Sequence, residues 1–273
     1  MYLGYVAEVD IGLFCVNAVL ESEHMRDMSG KYDLEYVDKD KRTIGESRTR
    51  EENLKRMEEY KLERDEFVLA SNAFIVMKKM VEKWLNDVKL YENMCADYFL
   101  THFYRWISSF NSKFYDPVIY RMINLLMQRY FSILIRKITE AGFQIIYADN
   151  RKIILFNNKS NFNDFQTNIE YLFRSIKKIA IFNHIVLTVN TYWKMLMFKD
   201  LYNYAGVPAS DIDSEEESQV IQMPKIISKW TLSEFLPPIL EKDFISLISD
   251  YIIKLYIIQK LLKIMPKITI LHP

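Results

Sequence analysis

Apolar residues recur along the chain with two periods, one typical of strands and one typical of helices. Alternation over residues 2–10 predicts a strand, and helical spacing over residues 11–25 predicts a helix directly after it. Further helices are predicted at residues 67–88, 93–110, 116–140, 161–178 and 243–265, and further strands at 184–190 and 193–198, these two joined by a turn. This order of elements is typical of an α+β sandwich in which helices cover one face of an antiparallel sheet.

The centre of the pattern is a pair of short β-prone runs, residues 143–147 and 153–156. Asp149 and Asn150 lie between them, and these residue types tolerate the backbone angles of a tight turn. The pattern therefore predicts a buried two-stranded hairpin whose polar tip carries Asp149, Asn150 and Arg151.

The helix before this hairpin has marked ends. Asp116 is predicted as its N-cap, because an aspartate side chain accepts hydrogen bonds from the first free backbone N–H groups of a helix. Pro117 is predicted as its first helical residue, where a missing N–H costs nothing. Gly142 is predicted to end it.

Charged residues separate the predicted elements at two places. Apolar residues thin out over residues 26–66, a pattern typical of a mobile insertion or of a solvated helix. We expect an insertion that ends in a helix of mixed charge with i,i+4 ion pairs. Residues 211–217 are acidic and are predicted as a surface loop. Over the whole chain 36 Lys and Arg balance 36 Asp and Glu, which argues against nucleic-acid binding over the whole surface but allows a local basic patch.

The cysteines and the most apolar segment bear on two further classes, proteins with disulfide or zinc sites and membrane proteins. Cys15 and Cys95 both fall in apolar helical patterns, so both are expected to be small buried hydrophobes instead of a disulfide or zinc ligands. The most apolar segment, residues 244–265, is interrupted by Asp250 and by three lysines, so it is not expected to span a membrane.

Two carboxylates are candidates for a metal site. Asp10 ends the first predicted strand and Asp149 lies at the hairpin tip, and adjacent strands could bring them together, as metal-dependent phosphoryl transfer requires. The alternative is that Asp10 caps the following helix and Asp149 shapes its turn. Arg151 favours the alternative, because a cation two residues from Asp149 opposes a divalent metal and can itself neutralise the carboxylate. We therefore do not expect two-metal catalysis.

Other signatures of catalysis or nucleic-acid binding are weak. The chain contains no G-x-S-x-G, no G-x-x-x-x-G-K-[ST] and no G-x-G-x-x-G. Residues 102–106, His-Phe-Tyr-Arg-Trp, combine cationic and stacking side chains that suit nucleic acid. Their helical spacing favours a core stripe instead, formed by Phe99, Phe103, Trp106 and Phe110.

A resemblance to a known family is carried by strings of residues that lie in the same order over nearly the whole chain. The strings are residues 16–28, Ser71-Asn-Ala-Phe74 with 80–84, residues 102–106, Asp116-Pro117, Tyr147-Ala-Asp149 with 153–155, and Trp193 with Asn203-Tyr204 and Gly206. They resemble the non-catalytic C-terminal half of the DNA polymerase epsilon catalytic subunit. That half is a second, degenerate family-B exonuclease and polymerase module.

The resemblance assigns roles to individual positions. Asp10 is similar to the Asp of the first palm motif, Asn72 to the Asn of the fingers motif Asn-Ser-x-Tyr-Gly, and Asp149 to the first Asp of the palm hairpin Tyr-Gly-Asp-Thr-Asp. Arg151 stands where the second Asp of that hairpin is expected, and no basic residue precedes Asn72 on the fingers helix. The resemblance therefore implies that Asp10, Asn72, Asp149 and Arg151 are vestigial positions, and that this segment performs no nucleotidyl transfer.

The resemblance also implies a fold and its segments. The fold is α+β and family-B DNA polymerase-like, with an antiparallel palm-like sheet covered by helices, helical fingers and the start of a helical thumb. The segments are 1–25, first palm strand and helix; 26–66, charged insertion; 67–140, fingers-like helices; 141–205, palm with the central hairpin; 206–229, acidic linker; and 230–273, start of the thumb-like region.

The function that the resemblance implies is a structural platform for leading-strand DNA replication in the nucleus. Its expected partners are the replicative helicase assembly and the smaller polymerase epsilon subunits, with at most weak DNA contact. Magnesium belongs to the active half of the family, and zinc or an iron–sulfur cluster to other parts, so none is expected here. Two alternatives stay open: an active DNA-directed DNA polymerase that uses Asp10 and Asp149, and a DNA-binding module whose affinity falls with salt.

Overall fold

A computed structural model describes residues 1–22, 72–158, 161–209 and 224–268, with side chains as far as residue 261. Its helices are α1 (Phe14–Leu20), α2 (residues 72–91), α3 (Met94–Ser108), α4 (Pro117–Glu140), α5 (Phe162–Lys177) and α6 (Pro238–Ile268). Its strands are β1 (Tyr5–Gly12), β2 (Gln144–Ala148), β3 (Lys152–Asn157), β4 (Val186–Asp200), β5 (Asn203–Pro208) and β6 (Ile227–Trp230). The predicted insertion at 26–66 and the predicted loop at 211–217 lie outside the described residues.

The six strands form one sheet in the order β2-β3-β1-β4-β5-β6. β3 runs antiparallel to both β1 and β2, and β5 runs antiparallel to both β4 and β6. An antiparallel bridge also joins Tyr2, ahead of β1, to Leu196 of β4. The predicted α+β class with an antiparallel sheet is therefore confirmed.

The predicted hairpin and the predicted start of α4 are also confirmed. β2 and β3 pair directly across the tip, with one bulge between Ile145 and Tyr147. Asp116 Oδ1 accepts hydrogen bonds of 2.9 Å from the backbone N–H groups of Val118 and Ile119, and α4 begins at Pro117. These features follow from local chemistry, which explains why they can be predicted without knowledge of the tertiary structure.

Two predicted boundaries are wrong. The turn expected between residues 190 and 193 does not exist, because Val186–Asp200 is one continuous strand. The intervening Thr191 and Tyr192 are strong strand formers, and this stretch has no Gly or Pro to break it. The last helix begins at Pro238 instead of residue 243, because proline is tolerated in the first helical turn.

Two burial predictions also need correction. Cys15 is buried as expected, and burial raises the pKa of its thiol to about 12, but Cys95 is exposed in the first turn of α3. Of the stripe expected on this helix, Phe103 is buried, whereas Phe110 lies beyond the end of the helix and is 82% exposed. Because the helix ends before Phe110, helical spacing no longer places this side chain on the buried face.

The chain forms two compact units. Unit 1 comprises Met1–Asp10, Ile138–Arg174 and Leu187–Pro273, and unit 2 comprises Ile11–Lys137 and Ser175–Val186. No helix in the described part of either unit is both long and apolar enough to cross a membrane.

Unit 1 contains an apolar cluster on each face of its sheet. On one face, Met195, Ala205 and Val207 pack with Ile252 and Tyr256 of α6. On the opposite face, a second cluster is built from strand residues and is rich in aromatic rings; its buried members are Val6, Ile154, Trp193 and Leu196, and Tyr147, Phe198 and Tyr204 pack against them. Successive residues of a strand point to opposite faces, which is why Met195 and Leu196 join different clusters.

Unit 2 is predominantly helical. All the residues of α1 are buried, and α2 buries part of the stripe predicted for it: Phe74, Met77, Val81 and Leu85. Residues 67–71, which the prediction included in that helix, lie outside the described residues.

Candidate functional site

The hairpin tip uses its aspartate to build the turn. Asp149 Oδ1 accepts hydrogen bonds of 2.7 Å from the backbone N–H groups of Arg151 and Lys152, and Oδ2 accepts one of 2.9 Å from the Tyr147 hydroxyl. The hydrogen bond to Asp149 also raises the pKa of Tyr147, because the carboxylate favours the protonated phenol. Arg151 contributes through its main chain to this arrangement, while its side chain is exposed. Asp149 therefore acts as an Asx turn residue, the local role foreseen as the alternative to a metal ligand.

Asp10 lies at the same end of the sheet but has a lysine opposite it. In the antiparallel register of β1 and β3, Asp10 pairs with Lys152 and Glu8 with Ile154. The Lys152 ammonium donates a hydrogen bond to Glu8 Oε1 and lies 3.8 Å from Asp10 Oδ1. Lys152 thus meets Asp149 through its backbone and Asp10 through its side chain.

Electrostatics around Lys152 favour its charged form. Partial burial on its own would lower the pKa of this ammonium, but the hydrogen bond and charge of Glu8 and the charge of Asp10 outweigh that effect and raise it. Sequence reasoning gave weight to Arg151 and missed Lys152. The only signal for Lys152 is the cross-strand register, which a single sequence does not contain.

A cavity of about 220 Å³ opens beside this lysine on the aromatic face of the sheet. Four aromatic rings and three charged groups line it, together with apolar side chains; the rings are Trp193, Phe198, Tyr202 and Tyr204, and the charged residues are Glu8, Lys152 and Lys229. The Lys229 ammonium lies 5.1 Å from the centre of the Tyr202 ring. The cavity is smaller than the roughly 300–1,000 Å³ of typical small-molecule sites, so it suits one inserted side chain or ring better than a whole nucleotide.

The remaining position singled out by the sequence is in the other unit. Asn72 is exposed at the start of the described part of α2, in unit 2, whereas Asp10, Asp149 and Arg151 belong to unit 1. Within residues 1–22, 72–158, 161–209 and 224–261, no three His, Cys, Asp or Glu side chains are grouped closely enough to hold a metal ion.

A second polar cluster, in unit 2, was not foreseen. Asn17 is fully buried; its Nδ2 donates a hydrogen bond of 2.8 Å to the Ile181 carbonyl, and its Oδ1 accepts one of 3.0 Å from the His184 backbone N–H. We call this group, with Glu21 and Tyr130, the Asn17 cluster. The Tyr130 hydroxyl donates to the Glu21 carbonyl at 2.5 Å.

The imidazole of the Asn17 cluster is held close to a carboxylate. His184 Nε2 lies 3.3 Å from Glu21 Oε1, and Asn183 Nδ2 donates to the same oxygen. Burial lowers the pKa of His184 by more than the Glu21 charge raises it, so the neutral imidazole is favoured. Each polar group described here has a partner inside the fold, which is typical of a structural network and not of an open catalytic site.

Comparison with known proteins gives one family match and a consistent set of relatives. The model of a domain of unknown function, DUF1744, matches residues 1–207. A DNA polymerase epsilon catalytic subunit of Arabidopsis thaliana is 34% identical over 188 residues, which cover 69% of this chain and 8% of that protein. The DNA polymerase epsilon catalytic subunits of Dictyostelium discoideum and Schizosaccharomyces pombe are each 30% identical, over 67% and 68% of this chain and 9% and 8% of their own length.

These matches confirm the resemblance to the C-terminal region of DNA polymerase epsilon catalytic subunits. The chain spans less than a tenth of the length of the relatives it matches.

Proposed function

The chain belongs to the DUF1744 family, and we propose that it is an inactivated, palm-like polymerase module that serves as a structural and interaction platform in leading-strand DNA replication. Its relatives are DNA polymerase epsilon catalytic subunits, which connects the chain to replication and, in our proposal, to the nucleus. The replicative helicase assembly and the smaller polymerase epsilon subunits are the proposed partners.

The observation that carries the loss of activity is the position of Lys152. Two-metal catalysis needs carboxylates that converge on divalent cations about 3.5–4 Å apart. Here an ammonium group donates to Glu8 and lies 3.8 Å from Asp10, so it already supplies the positive charge that a metal would bring. Its raised pKa makes deprotonation to free these carboxylates more costly.

The hairpin tip supports the same proposal. Both carboxylate oxygens of Asp149 accept hydrogen bonds within the turn, and Arg151 stands where a second carboxylate would be needed. The position of the hairpin next to β1 in the sheet supports a palm-like arrangement. In that reading the helices within 67–140 are fingers-like, and α6 begins a thumb-like region.

The loss of activity is tested by titrating the purified chain with Mg²⁺ and Mn²⁺ in a calorimeter and assaying primer extension in the same buffer. We expect no heat of specific metal binding and no primer extension, and the same result for Asp10→Asn and Asp149→Ala. Lys152→Met keeps much of the side-chain length and removes the charge, so it tests whether the Lys152 charge is what replaces a metal at Glu8 and Asp10. Metal binding by the unaltered chain that is lost in Asp149→Ala would show that the hairpin tip is still a metal site, and any primer extension would show that the module is active.

The platform role is tested separately by immobilising the chain and passing the reconstituted helicase assembly and the smaller subunits over it. We expect retention that persists in moderate salt, with DNA retained weakly and only in low salt. Tight, strongly salt-dependent retention of DNA without any protein partner would favour a DNA-binding module instead.

A further inference from the structure

The cavity beside Lys152 is a pocket with apolar walls and an exposed rim. All of its lining residues belong to unit 1. Trp193 is only 3% exposed, Phe198 and Tyr204 are half-buried, and Tyr202 is 61% exposed, so the rings extend from the core to the surface. Aromatic rings that stay open to solvent in a concave site are typical of the central anchor points of protein interfaces. We call this cavity the aromatic pocket.

The charges of the aromatic pocket leave one cation without a counterion. Glu8 and Lys152 line the pocket together and pair with each other, so their charges cancel. The third charged residue, Lys229, is exposed, and its ammonium lies 5.1 Å from the centre of the Tyr202 ring. In the described part of the chain, no carboxylate forms an ion pair with Lys229. An occupant that brings a carboxylate to the rim therefore complements the charge of the pocket.

Other occupants fit the aromatic pocket less well. Aromatic rings can hold a quaternary ammonium, but here the Lys229 ammonium already lies over the Tyr202 ring and repels a second cation. A whole nucleotide needs more space than the cavity of about 220 Å³ provides. One aromatic ring suits this volume, and it gains edge-to-face contacts with the lining rings beyond what an aliphatic side chain of similar area gains.

We propose that the aromatic pocket binds a phenylalanine side chain from an acidic segment of a partner protein, and that a carboxylate next to this phenylalanine pairs with Lys229. The proposal rests on the platform role proposed above and names one surface through which the module takes a partner. The inserted ring supplies the apolar contact, and the ion pair at Lys229 selects acidic segments over basic ones.

The test uses a short fluorescein-labelled peptide in which aspartates flank a single phenylalanine. Its binding to the full chain is measured by fluorescence anisotropy, and we expect a Kd below about 100 µM in low salt. Replacing the phenylalanine of the peptide with alanine, or its aspartates with lysines, should raise this Kd at least about tenfold, because each change removes one of the two features that match the pocket.

Matched variants of the chain locate the site. Tyr202→Ala and Lys229→Glu should each raise the Kd of the aspartate peptide at least about tenfold. Both side chains are exposed, so both variants should fold, which circular dichroism checks. The controls are Tyr171→Ala, on α5, and Lys225→Glu; both side chains are exposed and lie outside the pocket lining, so each should change Kd less than about twofold. Lys229→Glu should also bind the lysine-flanked peptide more tightly than the unaltered chain does.

Three results with these probes would overturn the proposal. The first is a chain that does not bind the aspartate peptide at about 1 mM. The second is equal binding of the peptide that carries alanine in place of phenylalanine. The third is a labelled oligothymidine that binds more tightly than the peptide and is released by Lys229→Glu, which would assign the pocket to nucleic acid.

The aromatic pocket and the platform role can fail separately. If the unaltered chain, Tyr202→Ala and Lys229→Glu retain the helicase assembly and the smaller subunits equally, the platform role stands and the proposal for the pocket fails. If peptide binding depends on Tyr202 and Lys229 but no partner is retained, the pocket is supported and the platform role fails.

Discussion

Replacing Asn17 with alanine tests whether the Asn17 cluster holds unit 2 together. The Asn17 amide is fully buried and pairs with two main-chain groups far away in sequence, the Ile181 carbonyl and the His184 N–H. Alanine removes both partners and leaves two main-chain groups unpaired where the side chain had excluded water. A buried polar group left in this way costs about 1–3 kcal/mol, so the expected total loss in free energy of unfolding is roughly 2–5 kcal/mol.

Two further variants separate this cause from a general effect of substitution. Asn163→Ala removes an exposed asparagine from α5 and should change the free energy of unfolding by less than about 0.5 kcal/mol. Asn17→Asp keeps the acceptor for His184 but sets a carboxylate oxygen against the Ile181 carbonyl, so it should be at least as destabilising as alanine.

The assay is equilibrium urea unfolding at pH 7, monitored by circular dichroism and by tryptophan fluorescence. The dependence of the unfolding free energy on urea concentration is compared between variants. A loss of this size should also lower Tm by roughly 5–15 °C. If Asn17→Ala and Asn163→Ala unfold within about 0.5 kcal/mol of each other, the buried hydrogen bonds do not stabilise the fold and the reasoning fails.

Three other outcomes are expected. Burial lowers the pKa of His184 below its ordinary value of 6.5, so the unfolded chain takes up the proton first as pH falls. The free energy of unfolding should therefore fall as pH drops below about 6.5 and level off below the folded pKa. In urea titrations, His184→Gln should flatten this dependence of stability on pH. Lys152→Met should lower the free energy of unfolding by about 1 kcal/mol at pH 8. Because the folded pKa of Lys152 is raised, this difference in unfolding free energy should vanish as pH rises through that pKa. An unchanged difference in strong alkali would refute the pairing with Glu8. Gly206→Ala would place Cβ 2.6 Å from the Met195 carbonyl oxygen, so its Tm should drop by several degrees, well beyond the drop for Gly4→Ala, whose nearest neighbour is a movable ring at 3.0 Å.

The elements that sequence reasoning found correctly are those set by neighbours along the chain. The cap of α4 at Asp116, the turn at Asp149 and the hairpin around it each depend on residues within about four positions, and each was predicted with its chemistry. The resemblance to polymerase epsilon subunits was likewise available from ordered strings of residues, and the comparisons confirm it. The turn wrongly expected near Thr191 was a misreading of local signals, because Thr191 and Tyr192 favour a strand and no Gly or Pro interrupts it.

By itself, then, the sequence determined the α+β class, the hairpin with Asp149 at its tip, and the family to which the chain belongs. Only the tertiary structure decided that Lys152 faces Glu8 and Asp10, because these residues are more than 140 positions apart and meet through the register of β1 and β3. Only the tertiary structure buried Asn17 against Ile181 and left Leu247 of α6 exposed. The physical reason is the same in each case: backbone preferences act over a few residues, whereas the environment of a charge or an apolar side chain is set by whichever distant segment packs against it.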